Sequence, residues 1–175
     1  MHASPYYQGK MDLWTLFACQ AIDKLTDNGY LSFIAPNSWL TNSGASIFRN
    51  KILQDGEIIK FIDFGDFKVF KDAGIQTMIF VFKKCTPRES YEVDYCKVED
   101  KNLGEDIIKG FIENDLQESI TGITKFKATI KPSELKDKNI TFLNNNINLV
   151  IDKIQTMEIR KIPNGLYIQT QNLKI

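Results

Sequence analysis

The chain has 175 residues and a mass of 20.1 kDa, which suits one domain, or one domain and the stub of a second. Apolar residues make up 43% and include 12 Phe, so a sizeable core can form. The 22 basic and 22 acidic side chains cancel, which excludes a protein that holds nucleic acid by bulk positive charge. One histidine, His2, close to the N-terminus, excludes His-based catalytic triads.

The three cysteines, Cys19, Cys85 and Cys96, are odd in number and contain no C-x-x-C pair. They predict free thiols in a reducing cytoplasm and no zinc site, which would need a fourth ligand. No apolar run approaches the roughly 20 residues that span a bilayer, and no charged-then-apolar leader opens the chain. A soluble cytoplasmic protein with no membrane partner is expected.

In chain order, Leu13, Phe17, Ala21 and Leu25 recur every fourth residue between Met11 and Asn28, flanked by Trp14, Ala18 and Ile22. This predicts a helix with its apolar stripe on those positions and Gly29 as a left-handed C-cap. Tyr30 to Ala35 is a short apolar run stopped by Pro36 and reads as a buried strand. Thr41, Asn42 or Ser43 caps a second helix carrying Ile47, Phe48, Ile52 and Leu53, closed by Asp55-Gly56. Ile58 to Phe64 is a second strand and Gln76 to Phe82 a third.

Helix, strand, helix, strand implies parallel strands joined by right-handed crossovers. The third strand follows the second after about 11 residues without a helix, so it should return antiparallel. Met78 to Phe82 is apolar on both faces and belongs inside the sheet. The fold class is therefore α/β: a mostly parallel sheet with one reversed internal strand, whose first part is missing.

The second half changes character. Between Tyr91 and Ile120 stand 3 basic and 9 acidic residues, a net of −6; from Thr121 to Ile175 stand 9 basic and 4 acidic, a net of +5. Tyr91 to Val98 alternates like an exposed strand and Gly104 to Leu116 like a short amphipathic helix. Lys131-Pro132-Ser133 breaks the chain, Asn145 to Met157 reads as a helix, and Pro163-Asn164-Gly165 as a turn. The basic end is either one solvated face or the approach to a nucleic-acid-binding module.

Four segments carry a resemblance. They are Asp12-Leu13-Trp14-Thr15-Leu16-Phe17, then Asn28-Gly29-Tyr30 through Pro36-Asn37-Ser38-Trp39-Leu40, then Ile58 to Asp66 (I-I-K-F-I-D-F-G-D), then Val69-Phe70-Lys71-Asp72-Ala73-Gly74-Ile75-Gln76-Thr77. In this order and spacing, over about residues 10–84, the chain resembles the γ-class amino-methyltransferases of DNA, in particular the type IIG restriction–modification enzymes. The resemblance implies the C-terminal half of a Rossmann-like S-adenosylmethionine-dependent sheet, with residues 1–130 as a partial methyltransferase domain. Residues 131–162 then form a linker with a helix, and residues 163–175 the truncated start of a target-recognition domain.

Two family motifs are absent. No glycine-rich donor-binding loop occurs, and Ser4-Pro5-Tyr6-Tyr7, the nearest approach to the catalytic [NDS]-P-P-[YF], has Tyr at its third position and no strand before it. That loop matters because the N6 lone pair of adenine is delocalised into the ring. Acceptors on the loop hold the N–H groups while an aromatic stacks the extruded base. No catalytic residue is therefore expected in this chain, and none of its residues is expected to ligate metal.

The resemblance implies that Phe17 flanks the adenine of S-adenosylmethionine, with core packing as the plainer reading of the same ring. It implies that Phe82, near the end of the reversed strand, stacks the flipped base, with Phe80 on the same sheet face. Asn37, Ser38 and Trp39 follow a strand end where open α/β sheets bind ligands, so they either line the pocket or form a turn anchored by a buried Trp. Asp63-Phe64-Gly65 spells the kinase magnesium motif without its companions, so Asp63 and Asp66 are expected to shape the following loop. The implied function is part of an enzyme that methylates adenine N6 in double-stranded DNA, with or without a nuclease in the parent chain. The missing N-terminal half of the domain is its first partner, and the chain alone should be inactive. The alternative is a non-catalytic module that binds DNA or a partner subunit.

Overall fold

The computed structural model of the chain describes residues 4–70, 72, 74–114 and 120–144, and the backbone of residues 161–162 and 165–166. The helix expected over Asn145 to Met157 and the truncated end lie outside the described residues.

Helix α1 spans Leu13–Lys24 and strand β1 Tyr30–Pro36. Two 3-10 turns, Asn37–Leu40 and Ser43–Ala45, lead into α2, Ser46–Asp55, and Asn42 caps the second turn by accepting from the Gly44 amide at 2.9 Å. Strand β2 covers Gly56–Asp63, β3 Thr77–Lys84 and β4 Tyr91–Val98; helix α3 covers Glu105–Asn114, β5 Ile123–Ile130 and the short α4 Pro132–Leu135. Two-residue strands, β6 (Lys161–Ile162) and β7 (Gly165–Leu166), pair antiparallel.

The main sheet has the order β1-β3-β2-β4-β5. Strands β1 and β2 run the same way with β3 reversed between them, as the short connection requires. Because β3 separates that parallel pair, only β2 and β4 meet in parallel, and β5 adds another antiparallel contact. The expected sheet is thus right in its reversed strand, while three of its four pairings are antiparallel rather than mostly parallel.

Helices α1 and α2 cover one face of the sheet, where Ile22, Phe48 and Ile52 pack on Phe61, Phe80 and Phe82. One row of rings crosses that face on all five strands: Phe33, Phe80, Phe61, Tyr95 and Phe126 are successive partners in register. On the other face α3 covers Ile62, Cys96, Val98 and Ile123 at one end. Beyond it the face turns polar, with Asp94 of β4 paired to Lys127 of β5.

Several local expectations change. Helix α1 buries Thr15, Leu16, Ala18, Cys19 and Ile22, while Leu13 and Phe17 of the expected stripe face outward. Asn28, with φ +63°, takes the left-handed position expected of Gly29; Gly29 serves close packing instead, since a Cβ there would stand 2.8 Å from the Thr26 carbonyl. Strand β1 is the sheet's edge among the described residues rather than a buried strand, and Tyr30 and Ile34 are exposed. Strand β4 lies between β2 and β5 and buries Tyr91, Val93, Cys96 and Val98, so it is internal rather than exposed.

Ion pairs join neighbouring segments. Lys51 of α2 reaches Asp23 of α1 and Asp55, each at 2.6 Å. Burial pulls its pKa down, but the bonds from Asp23, Asp55 and Tyr6 outweigh this and hold it above the ordinary lysine range. At the same end of the sheet, two residues after Asp55, the buried carboxylate of Glu57 accepts from Nε, Nη2 and the backbone N–H of Arg88 at 2.6–2.9 Å.

Candidate functional site

Ligands of open α/β sheets bind outside the C-terminal ends of the parallel strands. Here that edge carries Pro36 of β1, Asp63 of β2 and the start of β3 at Thr77. A polar knot joins these ends. The Asn37 side-chain amide donates to Asp63 Oδ1 at 3.2 Å and Gln76 Oε1 at 3.4 Å, and its backbone N–H donates to the Gln76 carbonyl at 3.2 Å. Asp63 also accepts from the Gly65 amide at 2.9 Å and from the Tyr95 hydroxyl at 3.5 Å, while Gln76 donates to Asp66 at 2.9 Å. Burial first, and then Asp63, hold the Tyr95 phenol well above its ordinary range, so it stays a neutral donor to that carboxylate. The two aspartates thus shape the loop between β2 and β3, as expected.

That loop roofs an open cleft of about 830 Å³ on the sheet face away from α1 and α2. Ile34 and Ile79 form part of its floor, Phe67 and Phe70 come from the loop, and Ile108 and Ile112 from α3. Phe70 is 50% exposed, so its ring is open to a ligand. The apolar walls and an exposed ring beside a hydrogen-bonded polar edge suit a flat, partly aromatic guest.

The expected site residues are distributed unevenly. Asn37 and Ser38 stand at this edge, half-buried and exposed respectively, with Asn37 in the knot. Trp39 is fully buried against Phe48, Phe61 and Phe80, with ring centroids 4.9–6.4 Å away. It anchors the turn and is not among the residues that line the cleft.

Phe82 is also fully buried, packed so closely on Gly56 that a Cβ there would meet its Cζ at 2.6 Å. Its partners, Leu31 and Ile58, lie near the beginnings of β1 and β2. Five residues at 3.3–3.4 Å each put it about 17 Å along the strand from the edge at Thr77. An enclosed ring at the far end of the sheet has no face to offer a base, and Phe80 is core on the same face.

Phe17 is 60% exposed on α1 and is not among the residues lining the cleft. An exposed ring can stack an adenine, but the described residues supply no glycine-rich loop to cradle a nucleoside. Ser4-Pro5-Tyr6-Tyr7 lies away from the edge: the Tyr6 hydroxyl donates to Asp23 at 2.6 Å, and Lys51 sits 4.8 Å over its ring, near the C-terminal ends of both helices. Phe70 is not among the site residues that the resemblance implies, although it stands in the Val69–Thr77 motif. Its lack of helical or strand periodicity was the available signal of an exposed loop aromatic.

Comparison with known proteins agrees with this architecture. Residues 2–70 match the family described as Eco57I restriction-modification methylase. The type II methyltransferase M.BanIII of Aneurinibacillus aneurinilyticus is 30% identical over 77 residues, which are 44% of this chain and 13% of that protein. The structure is similar to that of the type IIG restriction endonuclease BpuSI, with a TM-score of 0.52 and 20% identity over 78% of this chain and 16% of that one. It is also similar to a chain from a type I R-M system, with a TM-score of 0.54 and 12% identity over 81% of this chain and 36% of that one. At these identities the two structures speak for the fold. The chain spans about an eighth of its curated relative and about a sixth of BpuSI.

Proposed function

We propose that this chain, a relative of the restriction–modification DNA methyltransferases, forms the far flank of the catalytic domain of an adenine-N6 methyltransferase of type IIG character. It acts in the cytoplasm, on double-stranded DNA, together with an N-terminal half that brings the glycine-rich loop and the N-P-P-Y motif. Residues 1–130 complete the sheet, residues 131–162 link it onward, and residues 163–175 begin target recognition.

The observation that carries this reading is the reversed β3 held between β1 and β2 while β1, among the described residues, keeps an open edge beside exposed Leu13, Phe17, Tyr30 and Ile34. Edges normally carry charge, a bulge or a cover, and Tyr30 to Pro36 contains no charged residue. A further parallel strand fits there, with α1 as its crossover on the helical face. The intact enzyme uses S-adenosylmethionine as methyl donor, and Phe17 is the ring this chain contributes toward it. The ring that meets the extruded adenine is Phe70, open at the cleft, in place of the enclosed Phe82.

Tritiated methyl transfer to adenine-containing duplexes tests the reading. The 175 residues alone should give no turnover, and adding the complementary N-terminal half should restore it on N6. Robust turnover by the chain alone, or methylation of cytosine by the pair, would refute it. The net charge of +5 over residues 121–175 favours one alternative, a non-catalytic DNA-binding module. That module would bind duplex DNA unaided and gain nothing from the partner.

A further inference from the structure

Arg49, in the middle of α2, is 3% exposed, yet among the described residues no carboxylate pairs with it. Its Nη1 donates to the carbonyls of Trp39 at 2.7 Å and Asn42 at 2.6 Å, and its Nε donates to the carbonyl of Lys138 at 3.0 Å. Burial pushes the guanidinium's pKa below its ordinary value, though arginine remains charged. Holding a cation inside without a counter-charge is costly, and an apolar side chain of that volume would stabilise the fold at least as well. Geometry explains the choice: a planar fork fixes several donors in set directions, and here they seize carbonyls of two separate segments.

One segment is the turn after β1, which begins with Asn37 and its knot to Asp63 and Gln76. The other is the Lys136–Ile140 connector, which leads toward the basic C-terminal part. Two further links run alongside. The Ile140 amide donates to the Leu40 carbonyl at 3.0 Å, and Asn50 exchanges two bonds with Asp137, Nδ2 to Oδ1 at 2.6 Å and backbone N–H to Asn50 Oδ1 at 2.9 Å.

We propose that Arg49 is a positioning residue that locks the turn after β1 to the Lys136–Ile140 connector, so that a rearrangement of the connector reaches the loop roofing the cleft. The path is contiguous: connector, Arg49, Trp39–Asn42 turn, Asn37, then Asp63 and Gln76. The clamp stands on geometry; its meaning, communication between target recognition and the base pocket, rests on the function proposed above.

Hydrogen exchange on the full chain tests it, with Asn50→Ala loosening the connector from α2. Exchange should rise about tenfold in residues 37–42 and 64–76 as well as in 136–140, the size expected for groups in one hydrogen-bond network, with β2 and β3 unaffected. In Arg49→Lys, which keeps the charge but loses the fork, Asn50→Ala should affect only residues 136–140. A rise confined to 136–140 in the wild-type background would overturn the clamp, as would an unchanged response in Arg49→Lys. If the Arg49 variant unfolds, the spread of the Asn50→Ala effect in the wild-type background still decides. Methyl transfer is not the readout, so failure of the clamp and failure of the enzymatic reading remain distinct.

Discussion

Truncating Phe82 to alanine and, separately, Phe70 to alanine should affect folding and base capture in opposite proportion. The Phe82 ring is wholly enclosed between Gly56 and the core under α2, so its removal leaves a cavity that the sheet cannot close. Such a deletion costs about 3–5 kcal/mol, a large share of the roughly 5–15 kcal/mol that holds a domain together. Phe70 keeps half its surface in water, so its loss should cost only about 1 kcal/mol. With a urea slope of about 2 kcal/mol/M, the midpoint should fall by about 2 M for Phe82→Ala and by about 0.5 M for Phe70→Ala. In the enzyme reassembled with its N-terminal half, fluorescence of 2-aminopurine at the target position reports the extruded base. Phe70→Ala should weaken that capture roughly 5- to 150-fold, the value of about 1–3 kcal/mol of stacking. Equal midpoints for the two variants, or full capture by Phe70→Ala, would refute the assignment of the rings.

Other perturbations test the frame. The bonds from Arg88 hold the Glu57 carboxyl below its ordinary range, so this pair stabilises the fold above the unfolded glutamate pKa of about 4.3 and ceases to do so as pH falls through the lower folded value. Glu57→Gln should therefore lower the urea midpoint at pH 7 and much less at pH 3; an equal deficit at both would argue against the ion pair. A Cβ on Gly44 would run into the Lys10 carbonyl, where Gln8 stitches the N-terminal segment to α2 through the Ile47 amide and Ser46. Gly44→Ala should cost about 1–3 kcal/mol and open residues 4–11 to limited proteolysis, and an unchanged melting temperature would contradict that packing. Ile34→Lys, on the open edge strand, should leave stability within about 0.5 kcal/mol yet abolish reassembly with the N-terminal half in a pull-down; retained binding would place the partner elsewhere.

Much of the topology was legible because local chemistry fixes it. The 13 residues between Asp63 and Thr77 hold no helical pattern, and that alone dictated the reversal of β3. Burial was less legible, because it depends on what else is packed nearby. Tyr30 to Ala35 has the composition of an inner strand but sits at an edge, and the stripe of Leu13 and Phe17 has no covering surface among the described residues. Strand β5 has a weak sequence signal because Lys125 and Lys127 stand on a face only partly covered, opposite Thr124 and Phe126. Alternation correctly put Phe80 and Phe82 on one face, but periodicity cannot say which end of a sheet is open.

The row of rings from Phe33 to Phe126 has a consequence for how the sheet finds its alignment. A slip of one residue between any two strands would turn one of those rings out of the core, so each strand reads its alignment from its neighbour. The five strands can then find their places without a template from elsewhere.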